Sequence, residues 1–175
     1  MPTQTTTQDI GWFIDAVMLG SINDMICKHG QHYLGFGTVA GAIEFIGACM
    51  DAQSFDQQGI SRQRFESAIK THFDAKYHPY ADKGSKYDLY KHLRCGMAHI
   101  MRPQGKVAFT TQSESIVDGT QHLQVVAAID KLVLVSETFH TDFAEACKRM
   151  KQHMAAGAYT KKLSDQYLPI TQIQP

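Results

Sequence analysis

Residues 33–50, YLGFGTVAGAIEFIGACM, carry a single charge, Glu44. A run this apolar either spans a bilayer or forms the centre of a helical core. Its 18 residues approach spanning length, but the flanks lack the cationic residues that anchor membrane helices, and Glu44 interrupts the run. The chain as a whole is 43% hydrophobic with mean hydropathy −0.26. The expectation is therefore a central core helix with no membrane contact. Gly37, Ala40, Gly41, Gly47 and Ala48 give it small faces against which other helices can pack closely.

A chain of 175 residues fits one domain, with interior enough to dispense with disulfide staples. Seventeen Lys and Arg balance seventeen Asp and Glu, so no long-range field draws in a polyanion, and any nucleic acid must be held by a local basic patch. Zero net charge favours self-association, and a homodimer is expected. Cys27, Cys49, Cys95 and Cys147 form no CxxC pair, and residues 1–8 lack a charged n-region followed by an apolar one. A cytoplasmic setting is expected.

Along the chain, Ile10, Phe13, Ile14, Val17, Met18, Ile22, Met25 and Ile26 recur at helical spacing over 9–28, and Gly30 can supply a left-handed stop. The core helix follows. A third helix is expected over 61–75, capped by Ser61, with Phe65, Ala68, Ile69, His72 and Phe73 inward. Residues 77–84, with Pro79 and Gly84, read as a loop. A fourth helix over 85–101 turns Leu89, Leu93, Met97 and Ile100 inward and ends at Arg102-Pro103. The segments 106–111, 123–127 and 131–135 are short and β-branched, with Ile129-Asp130 in a tight turn, and predict a small antiparallel sheet. Ser136 opens a last helix to about Ala156, with Phe139, Phe143, Ala146, Cys147 and Met150 inward, and a tail runs from about 158. The fold class expected is mainly α: a bundle of four to five helices with a small antiparallel sheet before the last one.

Chemistry concentrates on the fourth helix, KYDLYKHLRCGMAHIMRP, where Arg94 and His99 stand five positions apart near Tyr90, Lys91, His92 and Arg102. Arg94-Cys95-Gly96-Met97-Ala98-His99 resembles the R-x4-H signature of the HEPN superfamily, and LYKHLRCGMAH is similar to an uncharacterised bacterial branch carrying this helix. The resemblance implies a HEPN-like bundle associated with RNA or nucleotides. It also implies either a metal-independent endoribonuclease that uses the ribose 2′-hydroxyl as internal nucleophile, with paired sites in a dimer, or a nucleotide- or RNA-binding relative that has lost that chemistry. His99 is then the general acid or base, because imidazole exchanges protons at neutral pH. Arg94 stabilises charge growing on the scissile phosphate. Lys91 and Arg102 hold flanking phosphates. Glu44, which a nonpolar environment leaves needing a partner, pairs with Arg94 or orients His99, and Tyr90 and Cys95 support the site. Cys95 departs from the resemblance, since catalytic members carry a polar residue there.

At about 100° per residue, Arg94 and His99 point roughly 140° apart on an α-helix. Convergence requires a long reach by Arg94, a distortion at Gly96, or a second subunit. The alternative is a non-catalytic homodimeric interaction protein in which Arg94 forms a structural ion pair, with Glu44 for example, and His99 ends the helix. Other chemistry is less supported. His29 with His32, and His92 with His99, lack the acidic neighbours of metal sites, so neither metal nor cofactor is expected. Cys95, four residues before His99, fits a packed thiol better than a nucleophile. LGFGTVAG lacks the strand and GK[ST] of a phosphate loop. Asp88 and His92 read as a helix-surface pair.

Overall fold

The computed structural model describes residues 10–159. The expectations for residues 1–8, and for the tail from 160 onward, lie outside them.

Helix α1, Ile10–Lys28, buries Ile10, Ile14, Met18, Ile22 and Ile26, each four residues from the next. On an ideal α-helix that spacing drifts by about 40° per step. The drift is offset by wider π-helical turns over Phe13–Leu19 and Asp24–Lys28, which keep the five side chains on one line. Gly30 takes the left-handed conformation at φ 62° and turns the chain into α2, His32–Met50. By length and composition both helices are apolar enough to cross a membrane. In the fold, α2 is the central element, touching α1, the third and fourth helices and the last one.

Helix α3, Ser61–His72, packs on α2 at Gly47, where an added Cβ would stand 2.0 Å from the Arg64 carbonyl oxygen. Arg64 is 4% exposed, and its guanidinium ties down the α2–α3 loop. It donates to both Asp51 carboxylate oxygens, to Ser54 O and to Phe55 O at 2.6–3.3 Å. The expected inward set Phe65, Ala68, Ile69, His72 and Phe73 is buried. Ser61 is not the cap: Ile60 holds that position without a side-chain bond, because the chain enters through the loop fixed by Arg64. Residues 75–80 form a 3-10 turn rather than an open loop. Asp74 accepts the Lys76 N–H, and Tyr77 is buried beneath.

Helix α4 spans 89–100. Leu89, Leu93 and Met97 face the core, whereas Ile100 is 48% exposed because the helix unwinds at that point. Then come β1, Val107–Thr110; α5, Gln112–Asp118; β2, Val125–Val126; β3, Lys131–Val135; and α6, Ser136–Ala155.

The sheet is mixed, not antiparallel. Its order is β1-β3-β2, with β1 parallel to β3 (Val107 opposite Leu132) and β2 antiparallel to it (Val125 opposite Leu132). The crossover that a parallel pair requires is supplied by the 111–130 connection, including α5, whose start is fixed by a Thr111/Glu114 capping box. Central β3 is buried along its apolar run, as a strand covered on both faces should be. Phe36 of α2 stacks on Phe109 of β1 at 3.8 Å and reaches Phe139 of α6, joining sheet and bundle. All five expected inward residues of α6 are buried. Ser136 does not cap this helix; Val135 precedes it, and the Ser136 hydroxyl faces His32 and Glu137 instead. After α6 the chain folds back far enough for the Tyr159 hydroxyl to meet His153 and His72 at 3.2 and 3.3 Å.

Candidate functional site

Asp88, immediately ahead of α4, is 2% exposed: one carboxylate oxygen accepts the Lys91 N–H and the other accepts Arg62, at 3.0 and 2.9 Å. Asp88 and His92 are thus buried rather than a surface pair, because Arg62 of α3 claims the carboxylate. Tyr90–Cys95 is π-helical, a wide turn found often at functional positions, and Gly96–Ile100 is α-helical. The helix stops at Met101, left-handed at φ 54°, with the Met101 and Arg102 N–H groups both turned onto the Gly96 carbonyl. The chain then doubles back, and Gln104 N–H donates to His92 O at 2.7 Å. A Cβ on Gly96 would lie 2.5 Å from Arg102 O and 2.9 Å from Gln104 N, so close backbone approach demands glycine inside the R-x4-H stretch.

Arg94 Nη2 stands 2.6 Å from Glu44 Oε2, joining α4 to α2. That oxygen, otherwise buried, has no aligned hydrogen bond, so the contact is a charge pair held by proximity. The Arg94 and Arg62 guanidinium groups approach the Tyr90 ring at 5.7 and 4.5 Å. Burial, reinforced by Cys95, raises the Tyr90 phenol and keeps it neutral. Arg94 lines an open groove of about 370 Å³ together with Gly37, Thr38 and Gly41 of α2 and Met97, Ala98 and Met101 around the end of α4.

His99 lies outside this groove. It is exposed on the last turn of α4 and makes no hydrogen bond or ion pair among the described residues. Arg102 is exposed three residues on. Lys91, also exposed, faces a different cleft with Arg62, Lys83, Lys86 and Lys106. The structure thus brings Glu44, Tyr90 and Arg94 together, with Cys95 half-buried beside them, while His99, Arg102 and Lys91 stand apart within one copy. Among the described residues no group of three or more His, Cys, Asp or Glu side chains is placed to hold a metal.

Two polar clusters escaped the sequence reading because their members lie 45 to 104 residues apart. His32 Nδ1 meets Ser136 Oγ at 2.6 Å, but that hydroxyl gives its proton to Glu137, and Ser136 is 1% exposed, so it is a structural tie rather than an activated nucleophile. His122 Nδ1 accepts the Val135 N–H, leaving Nε2 to donate to the Tyr77 hydroxyl, which donates in turn to Asp142. Burial, with Lys76 nearby, overrides Asp142 and pushes His122 down to about 4.

Comparison of this chain with protein families, curated proteins and solved structures finds no match.

Proposed function

We propose that this protein is a HEPN-like helical dimer that binds RNA and cleaves it without a metal, at a site formed by Arg94 of one copy and His99 of the other. The observation that carries the reading is the division of labour on α4. Arg94 is held on the groove wall by Glu44, with its guanidinium near a neutral tyrosine, while His99 projects unpaired into solvent one turn further on. Gly37, Thr38, Gly41 and Ala98 keep the groove wall low, so a second α4 can approach closely across a twofold axis.

In this arrangement His99 takes the proton of the ribose 2′-hydroxyl, whose oxygen attacks the adjacent phosphorus. The bond from phosphorus to the 5′-oxygen breaks, that oxygen takes a proton from solvent to leave as a hydroxyl, and a 2′,3′-cyclic phosphate forms. Arg94 stabilises the charge on the phosphoryl oxygens, and Arg102 holds a flanking phosphate. The setting proposed is the cytoplasm, where RNA is present and thiols stay reduced.

A second reading rests on a specific observation: the Glu44–Arg94 pair and the crowding at Gly96 account for two residues of the motif by packing alone. Under it the protein is a non-catalytic homodimeric interaction module. Cleavage of single-stranded RNA in EDTA separates the two. The nuclease reading expects activity that Arg94→Ala and His99→Ala each abolish with thermal unfolding of His99→Ala unchanged; an inactive parent protein assigns the motif to structure.

A further inference from the structure

A second open cleft, of about 480 Å³, is walled by Arg62, Lys83, Lys86, Lys91 and Lys106 together with the buried Asp88 and His92. Among the described residues no Phe, Tyr, Trp or aliphatic side chain lines it. We infer that this cleft binds the phosphate groups of a small phosphorylated ligand, independently of the Arg94/His99 site.

The cations are held in place rather than scattered. Buried Asp88 draws Arg62 in from α3, and the Tyr90 ring lies under its guanidinium. Asp130, in the left-handed turn before β3, binds Lys86, Lys106 and the Tyr87 hydroxyl and so fixes two amines at the rim. These partners leave the cleft with an excess of positive charge, because Lys83 and Lys91 have no carboxylate among the described residues. Their field reaches the buried ring of His92, whose pKa is lowered by burial and further by Lys91 and Lys106.

The loop 83–86, Lys-Gly-Ser-Lys, completes the wall. Gly84 sits at φ 93° with open space where a Cβ would stand, and the Ser85 hydroxyl makes no hydrogen bond among the described residues. Lysines and a hydroxyl around an open cavity suit phosphate oxygens. The one ring among its described lining residues, His92, is buried and offers no open face for bases to stack on, which favours a compact phosphate ester or pyrophosphate over a polynucleotide.

Calorimetric titration of the full chain with pyrophosphate, inorganic phosphate and a single-stranded RNA oligomer tests this. Pyrophosphate is expected to bind, and the Lys83→Ala/Lys91→Ala double variant to bind it roughly tenfold or more weakly. Both lysines are exposed, so its thermal unfolding should match the parent. Perturbation of the His92 ring resonances by pyrophosphate would locate the ligand. Absence of binding, binding undiminished in the double variant, or RNA binding more tightly than pyrophosphate through the same lysines would each overturn the inference.

Discussion

Glu44 and Arg94 form the polar link between the two central helices: their Oε2 and Nη2 atoms are 2.6 Å apart, and both side chains are about four-fifths buried. One carboxylate inside an otherwise apolar helix is thereby neutralised by the arginine of the R-x4-H motif, and each charge depends on the other to be tolerated there. A double-mutant cycle between Glu44→Ala and Arg94→Ala, followed by urea unfolding, should give a coupling of about 0.5–3 kcal/mol. Additive losses would mean that the pair contributes nothing beyond two separate truncations.

The Gly96 contact makes a sharper claim, because its neighbours are backbone atoms that cannot swing aside. Gly96→Ala should destabilise the protein by about 1–3 kcal/mol and release the Gln104–His92 bond, seen as faster amide exchange at Gln104. Gly11, helical with nothing within 4 Å of its added Cβ, provides the contrast. Its replacement by alanine should stabilise by about 0.5–1 kcal/mol. Equal effects at the two positions would remove the packing explanation of the motif glycine.

Acid sensitivity should come chiefly from His72 and His122, with buried His92 and His140 displaced in the same direction, before the carboxylates begin to titrate. Burial, then His153 and Arg149, pushes His72 to about 4, and burial lowers His122 equally. Both rings are neutral when folded but recover a pKa near 6.5 once unfolded, so between these values the unfolded chain binds more protons. Stability should be full above about pH 6.5 and fall toward pH 4, by roughly 3 kcal/mol per histidine at most. For His122 the cause is burial of the ring, and protonation at Nδ1 would also break the bond it accepts from the Val135 N–H. Unfolding free energies measured from pH 7 to 4.5 should show this slope, reduced by close to one proton in His122→Gln. A flat profile would refute it.

How far the sequence carried depends on the range of the interactions involved. The inward faces of α3 and α6 follow from local periodicity, which survives tertiary contact because the apolar stripes are long, and the central place of α2 follows from its apolar run with Glu44 as the one charge. The parallel pairing of β1 with β3 was not legible in this way: strand composition does not encode partner direction, and Val125–Val126 is too short to reveal its edge position. Its signal was nevertheless present in Thr111-x-x-Glu114, a capping box that inserts a helix between the strands. Ser61 and Ser136 do not cap because each is the first residue inside its helix, one position past the cap. At Ser136 the hydroxyl is engaged with His32 from a distant helix. The Glu44–Arg94 partnership was legible, since a lone carboxylate in an apolar helix has few candidates. The basic cleft was not, because its walls come from α3, the 83–86 loop, α4 and Lys106.

The shared site makes its own demand on assembly. With Gly41 on the groove wall and no contact within 4 Å of its added Cβ, Gly41→Leu should fill the place of the approaching helix. Sedimentation should then show a dimer for the parent and a monomer for the variant. A parent that is monomeric at every concentration would leave His99 without an Arg94 to meet.

Subunit mixing tests that meeting most directly. Arg94→Ala and His99→Ala, each inactive alone on single-stranded RNA, are unfolded together, refolded as an equimolar mixture and assayed in EDTA. A site built from one residue of each copy predicts the return of roughly a quarter of parental activity, because half the dimers are mixed and each of those regains one intact site. An active parent whose mixed variants stay silent, or a parent with no activity to lose, would contradict it.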